Sequence, residues 1–246
     1  MDDDSSWKRR FWGVTYEDER IPWLNFDASY FGLHYLAKER EYHTFGLRGF
    51  RPEQAVGVDY EIELIGQFGD NDDRDHSAIA AHAELGYTLD LPWSPRLLGQ
   101  FDYASGTSNP NGSESHSFDY LFGARRWDLA VTGIYGPFRR SNILSPGVRL
   151  IVSPLPKFKA EIKFRYWELA KARDDFVGTG LQDPTGAAGR HLGEDVELRV
   201  RWRPTPWLDL DVGYDHWFKG SYLDRVPNVP STKDSDFFYA STKLQF

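Results

Sequence analysis

The chain has 246 residues, of which 40% are hydrophobic, 27% charged and 16% aromatic, with no cysteine and a formal net charge of −8. That length suits one large all-β domain, the negative charge disfavours nonspecific nucleic-acid binding, and the missing thiols exclude disulfides and thiolate metal centres. Mean hydropathy is −0.57, and no run of about 18 apolar residues offers a transmembrane helix, although a transmembrane barrel needs only short alternating segments around a polar lumen.

The N-terminal MDDDSSWKRR lacks the apolar stretch of a secretion signal. The chain therefore reads either as cytoplasmic or as a processed or truncated piece given a starting Met. Beyond it, alternation with a period of two recurs along the chain, the mark of half-buried strands. In QAVGVDYEIELIGQF, Val56, Val58, Tyr60, Ile62 and Leu64 share one face, while Asp59, Glu61, Glu63 and Gln67 share the other. In AAHAELGYTLDL, Ala83, Leu85, Tyr87 and Leu89 oppose His82, Glu84, Thr88 and Asp90. In KFKAEIKFRYW, Phe158, Ala160, Ile162, Phe164 and Tyr166 oppose Lys159, Glu161, Lys163 and Arg165. In EDVELRVRWR, Val196, Leu198, Val200 and Trp202 oppose Asp195, Glu197 and three arginines. WLDLDVGYD and the terminal FFYASTKLQF repeat the pattern, the latter up to Phe246. Helical spacing appears over no useful length.

The polar faces are ionic, and the candidate strands are long enough for tilted bilayer crossings of about ten residues. The connections DLPWSPR, VSPLPK and RPTPWL are short; GDNDDRDH, the stretch from Gly106 to Pro146, that from Lys171 to Gly193, and KGSYLDRVPNVPSTKDSD are long. Such an alternation predicts an all-β, antiparallel up-and-down transmembrane β-barrel of about 12 strands (10–12), with short periplasmic turns and long extracellular loops, as one domain over residues 1–246. Trp93, Trp202, Trp207 and Phe246 fall at the short-turn ends, and Tyr103, Tyr166, Tyr214 and Phe238 nearer the long loops, where interfacial aromatic girdles sit. If the last strand descends to the periplasm, LNFDASYFGLHYL ascends and KRRFWGVTYE descends. The N-terminus would then lie outside the cell, so either the residues before Trp23 form no barrel strand or an upstream strand is missing.

Several stretches together resemble the alginate export family of outer-membrane porins: YHTFGLRG, LGYTLDLPWSPRLLGQFDYASGT, LFGARRWDLAVTGIYGPFRRSNILSPGVRL, GRHLGEDVELRVRWRPTPWLDLDVGYDHWFKGSYL and DFFYASTKLQF. The resemblance runs from about Tyr42 to Phe246, more weakly from Phe11. Members of that family are larger, eighteen-stranded barrels, so this chain is expected to correspond to a C-terminal portion or a shortened variant. The resemblance implies a bacterial outer-membrane location and passive export of an anionic, alginate-like exopolysaccharide. It also implies contact with outer-membrane lipid and lipopolysaccharide, and recognition by the barrel-assembly machinery through the strand ending at Phe246. No cofactor or resident metal is implied.

For such a substrate the inward faces offer Arg48, Arg149, Lys159, Lys163, Arg165, Arg199, Arg201 and Arg203, because guanidinium forks match carboxylates and charged rings set pore selectivity. Arg125, Arg126, Arg139 and Arg140 lie in the long loop that would fold into the pore as a constriction. The bland alternative is a lumen in which these cations pair with the acids of neighbouring strands. The corresponding function is a general porin, or a structural barrel without polysaccharide specificity. An enzyme is not expected: no G-x-S-x-G accompanies His82 or His216, and paired acids follow from strand alternation alone. DNDDRD reads as a solvated acidic loop before it reads as a Ca²⁺ loop.

Overall fold

Alternating apolar and ionic residues form eleven long antiparallel strands in one continuous meander. The computed structural model describes residues 8–121, 129 and 138–245. The strands are β1 (Arg9–Ile21), β2 (Leu24–Tyr35), β3 (Arg40–Arg51), β4 (Gly57–Asn71), β5 (Arg74–Thr88), β6 (Arg96–Ala104), β8 (Ile143–Val152), β9 (Phe158–Leu169), β10 (His191–Thr205), β11 (Leu208–Lys219) and β12 (Ser235–Leu244). The two-residue β7 (Glu114–Ser115) pairs in parallel with β5 from inside the long loop. A single helical turn, α1 (Ser221–Arg225), lies in the loop before β12.

Every neighbour in the order β1 to β12 is a sequence neighbour, with β6 pairing β8 across the long loop. This is the up-and-down barrel topology. The sheet is curled: Lys159 of β9 holds Glu53, just before β4, with Nζ–O distances of 2.9 and 2.7 Å. In a flat sheet four strand spacings, about 19 Å, would separate β4 from β9. Among the described residues β1 and β12 end the ladder and do not pair with each other.

The concave face carries the ionic residues and the convex face the apolar ones. Leu198, Val200 and Trp202 of β10 are 46%, 39% and 40% exposed on the convex side, as a lipid-facing row requires. Asp195 and Glu197, interleaved with them, are buried. Trp23, Trp93 and Trp207 are exposed at the short-turn rim, with Trp202 close to it. Phe246 and the loop residues Arg125 and Arg126 lie outside the described residues.

One open alternative is decided and one sequence expectation is corrected. Arg9–Ile21 is a genuine 13-residue strand in register with β2 from Arg9↔Tyr35 onward, so the residues before Trp23 belong to the barrel wall. GDNDDRDH is not a long loop. Strand β4 runs through Asn71 and β5 begins at Arg74, leaving a two-residue turn at Asp72 and Asp73. Both have positive φ (53° and 60°), the geometry of a primed hairpin turn that follows the twist of the strands and that Asp tolerates. The connection between β2 and β3 is also short, closed by a 3-10 turn, Leu36–Lys38. The loop side therefore mixes two tight connections with three long ones, at residues 105–142, 170–190 and 220–234.

The tight turn carries an expected outcome. Asp73→Gly removes the cost of a left-handed side-chain-bearing residue and should raise unfolding stability by up to about 1 kcal/mol. A denaturant titration followed by tryptophan fluorescence reads it; a loss of stability instead would mean that the Asp73 carboxylate holds something the turn geometry does not need.

The inner face is not ionic throughout. At the long-loop end Trp167 and Leu169 of β9, Leu192 of β10 and Ile143 of β8 point inward and join Phe118, Leu129, Phe138, Phe176 and Leu181 from the loops in one apolar cluster. Phe138 stacks on Trp167 at 3.9 Å and meets Trp217 of β11 edge-on at 5.0 Å. Burying these rings draws the two longest loops into the barrel mouth.

Candidate functional site

The functional residues are those that strand alternation sends to the concave face. They arrange themselves as ion pairs across neighbouring strands, because antiparallel register puts residues of β9, β10 and β11 opposite one another. Near the short-turn rim, Arg203 pairs with Asp209, and Lys159 with Glu53. One level up, Arg199 makes a fork to Asp211 (Nε–O 3.0 Å and Nη2–O 2.6 Å), and Tyr239 of β12 donates to the same carboxylate at 2.8 Å. Arg201 reaches Glu161 at 3.6 Å, while Arg149 meets Glu161 at 3.1 Å and donates to Gln100 at 2.7 Å. On the opposite wall Arg48 bridges Glu61 (2.7 and 2.9 Å) and Asp27 (3.0 Å).

Nearer the loops the pairs are sealed from water. Lys163 pairs with Glu197, and Arg165 with Asp102. Asp102 also accepts from His82 Nδ1 at 2.8 Å, with Arg140 at 3.8 Å. Arg165 gives Nε to Ser145 Oγ (2.9 Å), Nη2 to the Ser145 carbonyl (3.1 Å) and Nη1 to the Leu129 carbonyl (2.9 Å), and covers the Trp167 ring at 4.5 Å. The Ser145 carbonyl is available because the β8–β9 pairing skips residues 145 and 146, where Pro146 interrupts the strand. In the loop, Arg140 bonds Glu63 at 2.9 Å, and Arg139 donates to the Tyr120 hydroxyl at 3.0 Å.

The expected path residues thus divide by accessibility. Side chains of Arg201 and Arg203 are 43% and 48% exposed, whereas those of Lys163 and Arg165 are 4% and 0%. Solvent in the lumen reaches the first pair and not the second. Two further cations escaped the sequence reading. Arg96 at the start of β6 binds Asp59 through Nε at 3.0 Å, and Arg40 binds Asp119 of the long loop at 3.0 Å. The parity of Arg96, Leu98, Gln100 and Asp102 placed Arg96 inward; Arg40 had no such signal, since its partner lies 79 residues away.

A cavity of about 600 Å³ opens at the loop end, lined among others by Arg40, Arg74, Tyr42, Asp119, Asp174 and Asp175. Its loops are tied together. Asn142 Oδ1 accepts from Lys171 N at 2.8 Å, Asn142 Nδ2 donates to the Asp175 carbonyl at 3.0 Å, and Asp174 accepts from Thr107 N at 2.7 Å. Burial, together with the neighbouring Asp174 carboxylate, pushes the Asp175 carboxyl up to about 6. Raised above its unfolded value, this acid stabilises the folded loop fully below the ordinary 3.8, and the contribution is lost as pH rises through about 6. Backbone hydrogen exchange in residues 170–190, corrected for intrinsic rates, is therefore expected to be slower at pH 5 than at pH 8. Asp175→Asn should abolish the difference; a difference that survives the substitution would assign it elsewhere.

A family model described as alginate export matches residues 1–234. No curated relative matches the chain. Among solved structures, the NanC porin aligns over 97% of this chain and 94% of its own at 6% identity, with a TM-score of 0.45, too low to argue from. OccK11 (OpdR) of Pseudomonas aeruginosa aligns over 96% of this chain at 14% identity with a TM-score of 0.57. The outer membrane protein OprD of Pseudomonas aeruginosa aligns over 96% at 10% identity with a TM-score of 0.56. The chain spans 58% of the length of each of these two proteins, and at such identities the likeness is one of fold. Ionic concave face, apolar convex face, porin-type fold and a family match over nearly the whole chain agree: the chain belongs to the alginate export family of bacterial outer-membrane β-barrels.

Proposed function

We propose that this chain forms the wall of an outer-membrane channel through which an acidic exopolysaccharide of the alginate type leaves the cell passively. The family and the porin-type fold support a channel; the substrate reading rests on the family description and on one structural observation. That observation is the file of paired yet water-accessible cations at the short-turn half of the lumen: Arg48, Lys159, Arg201 and Arg203, with the more covered Arg199 and Arg149 beside them. A cation already holding an acid binds a passing carboxylate weakly, and several in a row let the polymer exchange from one to the next, which conduction requires. Lys163 and Arg165 serve this path by holding the wall, not by touching the polymer. Arg139 and Arg140 flank the loop mouth, with Arg125 and Arg126 as further candidates in the same loop. Lipid and lipopolysaccharide would cover the convex face, and assembly machinery would read the last strand.

A second reading, a structural barrel blocked by its loops, is favoured by the apolar cluster at the mouth. Planar-bilayer recording separates the two. The channel reading expects anion-biased conductance that long polyuronates block, and a weaker bias in an Arg201→Gln/Arg203→Gln variant. Cation selectivity, or conductance indifferent to polyuronate, would overturn it.

A further inference from the structure

We propose that Asp195, Glu197 and Asp215 form a binding site in the lumen wall for a divalent cation of the calcium type. Register brings them together: Glu197 of β10 lies opposite Asp215 of β11, and Asp195 stands two residues along on the same face. One oxygen from each lies within 4.8 Å of the others. Calcium takes its oxygens at about 2.3–2.6 Å, so ligands up to roughly 5 Å apart share one ion; magnesium, at about 2.0–2.1 Å, spans less. All three residues are buried.

Proximity of acids alone would mean little. The independent observation is that neither carboxylate oxygen of the fully buried Asp195 has a partner in full hydrogen-bond geometry, the indole N–H of Trp167 being a neighbour that is itself unsatisfied and can serve only one of the two oxygens, and Asp215 Oδ1 has none either. Buried carboxylates without partners are costly and call for a counter-charge. The two nearby cations are engaged: Lys163 by Glu197, and Arg165 by Asp102. Among the described residues no ion pair reaches Asp195 or Asp215. A hard cation with three anionic oxygens, completing its coordination from water and backbone carbonyls, fits what is left. Its charge would also turn this acid-rich patch of the wall away from repelling an anionic polymer. The site itself stands whether or not the channel carries polysaccharide.

Terbium luminescence with the full chain in detergent tests this. Trp167 is the diagonal neighbour of Asp195 across the β9–β10 ladder, close enough to sensitise a lanthanide bound there. Tryptophan-excited Tb³⁺ emission displaced by Ca²⁺ is expected. Emission should fall at least tenfold in Asp195→Asn/Asp215→Asn, a variant whose folding is checked by its heat-modifiable mobility, or in Asp195→Asn alone if the double variant fails to fold. Ca²⁺ should raise the unfolding temperature of the unsubstituted protein and not that of the variant. Equal emission from the folded variant overturns the proposal. So does an unfolding temperature indifferent to Ca²⁺ in a protein that the asparagines stabilise, the result expected if the carboxyls simply hold protons.

Discussion

Arg165→Met is expected to destabilise the barrel by about 3–5 kcal/mol, the cost of leaving a buried charge without its partner. Arg165 has no exposed side-chain surface and neither has Asp102. Removing the guanidinium leaves Asp102 with His82 and the more distant Arg140, frees the Ser145 carbonyl, and uncovers the face of Trp167. It also releases the carbonyl of Leu129, one of the bonds that anchor the long loop inside the barrel. Denaturant unfolding in detergent should show the loss. Adding Asp102→Asn to Arg165→Met should recover a large part of it, because the unpaired charge is gone. A single-variant cost below about 1 kcal/mol would mean that water enters and rehydrates Asp102, and the sealed ion pair described above would be wrong. In planar bilayers the same variant is expected to conduct with more open-state noise, since the loop has lost a tether.

The second large effect belongs to the opposite face. Leu198 lies at the middle of the fifteen-residue strand β10 with its side chain outward. An arginine there would sit near the bilayer midplane and cost about 2–4 kcal/mol, as charges on the lipid face of such barrels do. Leu198→Ala separates this from packing. In lipid, alanine exchanges one apolar contact for another and should be tolerated. In a dry protein core, losing leucine would cost about 2–5 kcal/mol. Stability of Leu198→Arg and Leu198→Ala, measured by reversible unfolding in lipid vesicles, decides the orientation. An arginine that costs nothing, or an alanine that costs as much as the arginine, would put water or protein where lipid is placed here.

Much of this was legible before any coordinates. Alternation assigned Leu198, Val200 and Trp202 to one face and Arg199, Arg201, Asp195 and Glu197 to the other. A strand has a period of two whatever its surroundings, and a bilayer outside a wet lumen sharpens that period into oil against ions. Local turn chemistry was harder. GDNDDRDH looked like a loop because it is polar, but Asp tolerates positive φ, so two residues suffice to turn the chain and the remaining charges belong to strand ends. The apolar cluster at the mouth escaped notice because its members, Phe118, Phe138, Phe176 and Leu181, are spread over loops without periodicity, and only the folding of those loops onto Trp167 and Trp217 gathers them.

The sequence by itself determined the class of fold, the identity of the two faces and the family, since each depends on residue order within single strands or on motifs read in sequence. Tertiary structure decided which cation meets which acid, because partners such as Arg165 and Asp102, or Arg40 and Asp119, are brought together by strand register and loop docking across 63 and 79 residues. It decided as well that Lys163 and Arg165 are sealed while Arg201 and Arg203 stay open, although all four share one alternating pattern. Accessibility depends on what covers a residue, and what covers these is a loop whose path no strand period encodes.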